Sequence, residues 1–216
     1  MADAREDILR AIRAGLKLAR LPDVPAERPS YDVPRTVGSV AEFVGELERL
    51  SGHVIRVASP ADAAQAVVAL CTGRGWKQVW AWSWDEIACP GLAEVLNAAH
   101  IEAVHGGDPA DLERLPVGIT GADAALAESG TLILRSGAGR SPLISLLPPV
   151  HIALLEVQRI FPDLHTYLNS LPDPVAHIRA ASNLVLISGP SRTADIEQVL
   201  TLGVHGPREL IVVLWG

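Results

Sequence analysis

The chain has 216 residues, of which 49% are hydrophobic and 20% charged, and these proportions are typical of a globular protein with a sizeable core. The formal net charge of -7 and the lack of a Lys/Arg-rich run argue against a nucleic-acid partner, because phosphate binding needs a clustered basic surface. The amino-terminal segment has mixed charges, unlike a signal peptide, and polar residues interrupt every apolar run well short of a membrane span. We therefore expect a soluble, cytoplasmic protein.

The first 38 residues predict an appendage to the main domain. Apolar residues recur at helical spacing over residues 3–20, and four prolines between 21 and 38 predict an extended linker. We therefore divide the chain into an N-terminal helix and Pro-rich linker, residues 1–38, and an α/β domain, residues 39–216. Because the prolines limit the freedom of the linker, we expect the helix to pack on the main domain or on a second copy.

Helices and strands alternate through the first half of the main domain. Residues 40–50 have one apolar helical face, and Ser59 and Pro60 are typical of a helix start, as an N-cap followed by a first-turn proline. The predicted order is a helix at 40–50, a strand at 53–57, a helix from 59 to about 71, a strand at 78–84, a helix from 90, a strand at 101–104 and a helix from 108.

Four apolar runs in the second half do not alternate with polar residues. Such runs are typical of strands that are covered on both faces, as in a parallel sheet between helices. The sequence therefore predicts an α/β fold with a mostly parallel central sheet flanked by helices and an N-terminal helical appendage. The runs are residues 131–134, 151–157, 183–187 and 210–214.

Three polar segments, 118–131, 145–152 and 189–207, each join an apolar run to Gly, Pro, Ser, Thr, His or carboxylate residues. One such segment would be an ordinary capped turn. Three favour a shared pocket, because ligands in parallel α/β sheets bind beyond the carboxyl ends of the strands. The predicted ligand-binding residues are Thr120, Gly121, Asp123, Ser145, Ser191, Thr193 and His205.

These same segments carry a family resemblance. The motifs GITGADAALAESGTLIL, SLLPPVHI and GPSRTADIE followed by GVHGP, in this order, resemble the LUD-domain family over most of residues 40–216. The resemblance implies a fold like that of the NagB/RpiA/CoA-transferase group, with a ligand site at strand ends. It also implies a role in oxidising L-lactate to pyruvate together with two iron–sulfur partner proteins.

Glu128 and His151 are the candidate catalytic residues. Glu128 with Ser129 and Gly130 is similar to the segment that holds the nucleophilic glutamate of CoA transferases, so it could attack a thioester or act as a base. It could equally accept hydrogen bonds that shape the loop. We expect its side chain to point into the pocket. His151 begins an apolar strand, where it could be a core histidine or a ligand.

Two further features bear on ligand binding. Residues after Gly189 and Pro190 predict a helix N-terminus that could bind an anion, although Asp195 and Glu197 would compete for the same positive end. Arg140 lies in a glycine-containing loop, where it could clamp a substrate carboxylate or be solvated at the surface.

Cys71 and Cys89 do not have the spacing of a zinc or iron–sulfur site, so we predict two reduced thiols, no metal site and no cofactor bound by this chain. The iron–sulfur clusters are expected in the partner proteins. We predict a component of an L-lactate utilization system. Two alternatives stay open, namely a CoA-ester transferase or ligase using Glu128, and a non-catalytic subunit for assembly or for sensing a small carboxylate. A homo-oligomer is possible in each case.

Overall fold

The computed structural model describes residues 4–18, 39–108, 112, 114–193, 201–203 and 205–216. The chain divides into two compact units, residues 1–34 and 35–216. In the first unit, helix α1 spans Ala4–Leu18, in agreement with the predicted helix. The predicted linker at 21–38 lies outside the described residues, and the packing of α1 stays a prediction. None of the described helices is long and apolar enough to cross a membrane.

The second unit is built around a parallel sheet of six strands. Each strand pair in it is parallel, and the spatial order is β1-β12-β7-β4-β2-β3. The mostly parallel α/β fold predicted from the sequence is therefore confirmed. The strands are β1 (His53–Val57), β2 (Gln78–Ala81), β3 (Glu102–Val104), β4 (Val117–Gly121), β7 (Val150–Glu156) and β12 (Glu209–Trp215).

Three helices cover the sheet: α2 (Val40–Arg49), α3 (Pro60–Gly73) and α4 (Leu92–Ala98). Helix α3 begins as the sequence predicts, because the Ser59 hydroxyl accepts a hydrogen bond from the backbone of Asp62. The buried faces of the three helices include Phe43, Val67 and Leu96, which join the core of the central strands. Most residues of β4, β7 and β12 are buried, which explains their uninterrupted apolar sequence.

A second sheet was not predicted. It has the order β8-β5-β6-β9, with β6 antiparallel to both neighbours, and helices α5 (Leu164–Ser170) and α6 (Pro174–Ala180) follow β8 along the chain. The apolar runs at 131–134 and 183–187 belong to this sheet, so their assignment to the central parallel sheet was wrong. The strands are β5 (Ala124–Leu126), β6 (Thr131–Ser136), β8 (Ile160–Phe161) and β9 (Asn183–Ile187).

The reversal between β5 and β6 has a local cause. A 3₁₀ turn at Ala127–Ser129 ends in Gly130, whose φ of +57° is a left-handed conformation that favours glycine. A Cβ atom on Gly130 would also clash with the backbone of Glu46 and Leu47 in α2. The turn therefore needs this glycine for its conformation and for close packing against α2.

The segment after Gly189 and Pro190 corrects another prediction. Arg192–Thr193 form strand β10, which pairs antiparallel with β11, Thr201–Leu202. No helix begins at Ser191, so the anion site proposed at its N-terminus is absent from the described part of this segment. Asp195 and Glu197 lie outside the described residues, as does most of the helix predicted from 108.

Candidate functional site

Two cavities lie at opposite ends of the same three central strands. One of about 370 Å³ meets β7 and β12 near their amino ends, at His151 and Leu210. The other, of about 140 Å³, lies at the carboxyl ends of β4, β7 and β12, at Gly121, Glu156 and Trp215. We call them the His151 cavity and the Asp123 cleft. The prediction that the three polar segments form a single pocket is therefore wrong, because two of the segments precede their strands and one follows its strand.

The His151 cavity brings together four of the nine predicted site residues. Ser145, His151, Ser191 and His205 all line it, together with edge strand β9. Thr193 belongs to the β10 strand, and its side chain is outside the described part. The sequence did not lead us to the apolar residues that line this cavity. The apolar run at 183–187 could have indicated them, but we assigned it to the wrong sheet. The missed residues include Leu146, Val185, Leu186, Ile187 and Leu210.

His151 is the most buried polar group of the cavity, with 1% of its surface exposed. Burial lowers the pKa of its imidazole from 6.5 to about 3, so the ring is neutral at pH 7. Its Nε2 atom lies 2.8 Å from the Thr120 hydroxyl. Its Nδ1 atom has no hydrogen-bond partner among the described residues. A buried nitrogen without a partner costs free energy, which makes it a candidate contact for a ligand.

The backbone of β4 explains how Thr120 reaches this ring. Gly118 lies opposite His151 in the parallel pairing of β4 and β7, and Thr120 lies two residues farther along the same face. A side chain at Gly118 would clash with the carbonyl oxygen of Ile144. The glycine therefore allows the 3₁₀ turn Pro142–Ser145 to lie against the strand, which brings Ser145 to the cavity.

Backbone hydrogen bonds place Ser191 beside the segment that contains His205. The Ser191 amide donates to the Pro207 carbonyl at 2.8 Å, and the Ser191 carbonyl accepts from Gly203 at 3.0 Å. A Cβ atom on Gly206 would lie 3.1 Å from the Ser191 side chain, so the two segments approach closely. His205 itself is exposed. We therefore place it at the rim of the cavity.

Glu128 does not have the expected orientation. The turn buries Ala127 and leaves Glu128 exposed, and the amide of Glu128 donates to the Pro162 carbonyl at 3.1 Å. Glu128 lines neither cavity. Its neighbour Ser129 does connect to the cavity, because its hydroxyl lies 2.8 Å from that of Thr131, which in turn lies 2.7 Å from the hydroxyl of the lining residue Ser188.

Asp123 lies in the smaller cleft, where two arginines hold it. Its Oδ1 accepts from Arg140 at 2.8 Å and from Arg135 at 3.2 Å, and its Oδ2 accepts from the Arg135 amide at 2.7 Å. Arg140 also donates to Glu86 at 2.5 Å, and its guanidinium lies 5.2 Å from the Trp82 ring centre. Gly121 lines this same cleft.

Arg140 is therefore neither a solvated surface residue nor a clamp that is free for a substrate. Burial opposes its charge, but the hydrogen bonds that Arg140 donates to Asp123 and Glu86, with the charges of these carboxylates, outweigh burial and raise its pKa. The carboxylates of Asp123 and Glu86 and the guanidinium groups of Arg135 and Arg140 satisfy one another. We conclude that the cleft is chiefly a structural ion-pair network, and that Asp123 belongs to it rather than to the His151 cavity.

Cys71 and Cys89 are both free and buried, and burial raises the pKa of each thiol to about 11. Both are protonated at neutral pH, a state that does not bind metal ions. Within the described ranges, no group of three or more His, Cys, Asp or Glu residues has a geometry that could hold a metal ion.

Fold and cavities together define an α/β domain with a parallel sheet and a buried neutral histidine near the amino end of a central strand. Residues 40–215 match the family model of the LUD domain, and the chain belongs to this family.

Relatives named lactate utilization protein C are similar to this chain over different lengths. That of Deinococcus radiodurans is 28% identical over 235 residues, covering 100% of this chain and 97% of the relative. That of Halalkalibacterium halodurans is 43% identical over 101 residues, covering 44% of this chain and 42% of the relative. A crystal structure of a DUF162 family protein from Deinococcus radiodurans has a TM-score of 0.59 and 20% identity, and the match covers 82% of this chain and 95% of that one. This last similarity supports the fold alone.

Proposed function

We propose that this chain takes part in the utilization of L-lactate, as a ligand-binding component that works with iron–sulfur partner proteins. The observation that carries the proposal is the full-length similarity to a lactate utilization protein C. Oxidising L-lactate to pyruvate removes two electrons and two protons. We assign the electron transfer to the partners, because both cysteines of this chain are buried and held as thiols.

The His151 cavity is the proposed ligand site. It gathers four of the predicted residues and holds a buried imidazole with one unpartnered nitrogen. The Asp123 cleft is less suited, because its guanidinium group Arg140 already pairs with Asp123 and Glu86, and an anionic ligand would have to break those pairs. An exposed Glu128 outside both cavities gives no support to a transferase that uses it as a nucleophile.

A deletion and complementation experiment tests this function. Cells that lack this chain should fail to grow on L-lactate as sole carbon source and should grow normally on pyruvate, because only the oxidation step is missing. Wild-type protein and Arg56→Lys, a change outside both cavities, should restore growth. Normal growth of the deletion strain on L-lactate would contradict the proposal.

Reconstitution with the purified partners separates the proposal from its alternatives. We expect lactate oxidation to need this chain and to fall at least tenfold with His151→Phe. If His151→Phe oxidises lactate at the wild-type rate, the chain is an assembly subunit and its cavity is not part of the function. Thioester exchange by the purified chain alone, lost in Glu128→Gln, would instead identify a CoA transferase.

A further inference from the structure

We infer that the His151 cavity binds a neutral, largely apolar carbonyl compound larger than lactate, whose oxygen accepts a hydrogen bond from Nδ1 of His151. This inference rests on the proposed function only in taking this cavity as the ligand site. It differs from the expectation of a small carboxylate. Size, charge and apolar surface indicate a large, neutral and largely apolar ligand, and the position of the His151 proton indicates its carbonyl group.

Size is the first argument. The cavity volume of about 370 Å³ falls within the range of roughly 300–1,000 Å³ found for sites of drug-sized ligands. Lactate has six non-hydrogen atoms and would occupy only a small part of that space. A ligand that fills the cavity must therefore be several times larger than lactate.

Charge is the second argument. The described lining contains no Asp, Glu, Lys or Arg residue. A carboxylate that enters this space would lose its hydration without gaining a cation, and His151 cannot supply one because burial keeps its imidazole neutral. A neutral ligand avoids this cost.

The apolar surface at the mouth is the third argument. Leu146 and Leu186 both line the cavity and remain 46% and 47% exposed, respectively. Two of the three lining serines already have partners, since Ser145 donates to the Pro142 carbonyl and Ser188 bonds to Thr131. A largely apolar ligand would cover the leucines and would leave these hydroxyl contacts intact.

The position of the imidazole proton selects the polar group of the ligand. Nε2 of His151 is the only hydrogen-bond partner of the Thr120 hydroxyl within the described part of the chain. The Thr120 hydroxyl can donate its hydrogen to Nε2 only when Nε2 carries no proton of its own. We therefore assign the single proton of the neutral ring to Nδ1, which makes this nitrogen a donor without an acceptor among the described residues. A carbonyl oxygen is the neutral acceptor that fits it.

Binding to the purified full-length chain tests the inference with a matched pair of probes. We would use 2,3-dimethyl-1,4-naphthoquinone, which is neutral and has ring carbonyls but no open ring position for thiol addition, and 2,3-dimethylnaphthalene, which lacks the carbonyls. We expect saturable binding of the quinone, measured by calorimetry and by a rise in Tm. The hydrocarbon should bind at least tenfold more weakly, and L-lactate and pyruvate should not bind detectably.

Two variants assign the binding to this cavity. His151→Phe removes the donor and keeps a ring, so it should reduce the preference for the quinone over the hydrocarbon to less than threefold. Leu186→Asp changes an exposed residue of the mouth, which should leave the fold intact, and it should weaken both probes at least tenfold. Arg56→Lys serves as the control and should bind both as the wild type does.

The inference is overturned if the quinone does not bind saturably, if L-lactate or pyruvate binds more tightly, or if both probes bind equally to the wild type. Unchanged quinone binding by Leu186→Asp would also overturn it, and this holds even if His151→Phe does not fold. These outcomes do not depend on growth on L-lactate. A failed binding test with intact complementation removes the ligand assignment alone, and the reverse result removes the proposed function alone.

Discussion

The two cavities differ in how their polar groups are satisfied, although they lie at opposite ends of the same strands. In the Asp123 cleft, Arg135, Arg140 and Glu86 complete a network within the protein. In the His151 cavity, a buried nitrogen lacks a partner and the described wall is mostly uncharged. The comparison teaches that a cluster of charged residues can be a closed structural network, whereas a buried group without a partner beside a cavity is a candidate contact for a ligand, because a ligand can supply the missing hydrogen bond.

Among changes to side chains that line the two cavities, removing the carboxylate of the cleft should have the largest effect on stability. Asp123→Ala leaves two guanidinium groups without their shared acceptor, and only 9% of the Asp123 side chain is exposed. We expect a loss of about 3 kcal/mol in the free energy of unfolding, at the low end for a buried pair because both arginines reach solvent. Urea denaturation measures it. Quinone binding by the folded fraction should not change, and a large loss of binding would show that the cleft and the cavity are coupled.

A methyl group at Gly118 should distort the His151 cavity by displacing one of the segments that line it. Gly118→Ala forces the Ile144 carbonyl away from β4 and displaces the turn that carries Ser145. We expect about 2 kcal/mol of destabilisation from overpacking and a loss of quinone affinity greater than that of Asp123→Ala. Gly45→Ala is a matched control, since a Cβ atom there has no neighbour within 4 Å. Wild-type affinity in Gly118→Ala would show that the turn does not shape the site.

The buried His151 should make the stability of the chain depend on pH. His151 has a folded pKa of about 3 against 6.5 unfolded, so its neutral form contributes stability that is complete above pH 6.5 and is lost as the pH falls toward 3. Between these values the unfolded chain binds one more proton, which gives a slope of at most about 1.4 kcal/mol per pH unit. His151→Gln, which does not titrate, should remove this part of the slope. Equal slopes for variant and wild type, measured by urea denaturation from pH 7 to 4.5, would contradict the buried neutral state.

The order of elements could be read from the sequence because their signals are local. The capped start of α3 and the mostly apolar strands β7 and β12 follow from N-cap chemistry and from burial on both faces. The second sheet could not be predicted, because an apolar run such as 131–134 has the same composition in either sheet. The direction of β6 depends on the turn that ends at Gly130. It also depends on the packing of this turn against α2, which lies more than eighty residues earlier in the chain.

The sequence placed all the predicted site residues in one pocket, whereas the structure divides them. Ser145, His151, Ser191 and His205 line one cavity, since each belongs to a polar segment that precedes a central strand. Asp123 and Gly121 lie at the other end of the sheet, because their segment follows β4 whereas the others precede β7 and β12. Sequence shows that a polar segment adjoins a strand, but the end at which it meets neighbouring segments depends on strand order.

Glu128→Gln should have the smallest effect and gives the sharpest test of the sequence motif. The side chain is exposed and lines neither cavity, so loss of its charge should change the free energy of unfolding by no more than about 1 kcal/mol, the range for exposed ionic contacts. Quinone binding and lactate oxidation should match the wild type. Gly130→Ala, two residues away, should by contrast destabilise the chain strongly, because its Cβ atom meets the backbone of α2 and its φ is positive. If Glu128→Gln abolished lactate oxidation while folding remained intact, Glu128 would act on a ligand or partner outside both cavities, and the His151 cavity would not be the whole site.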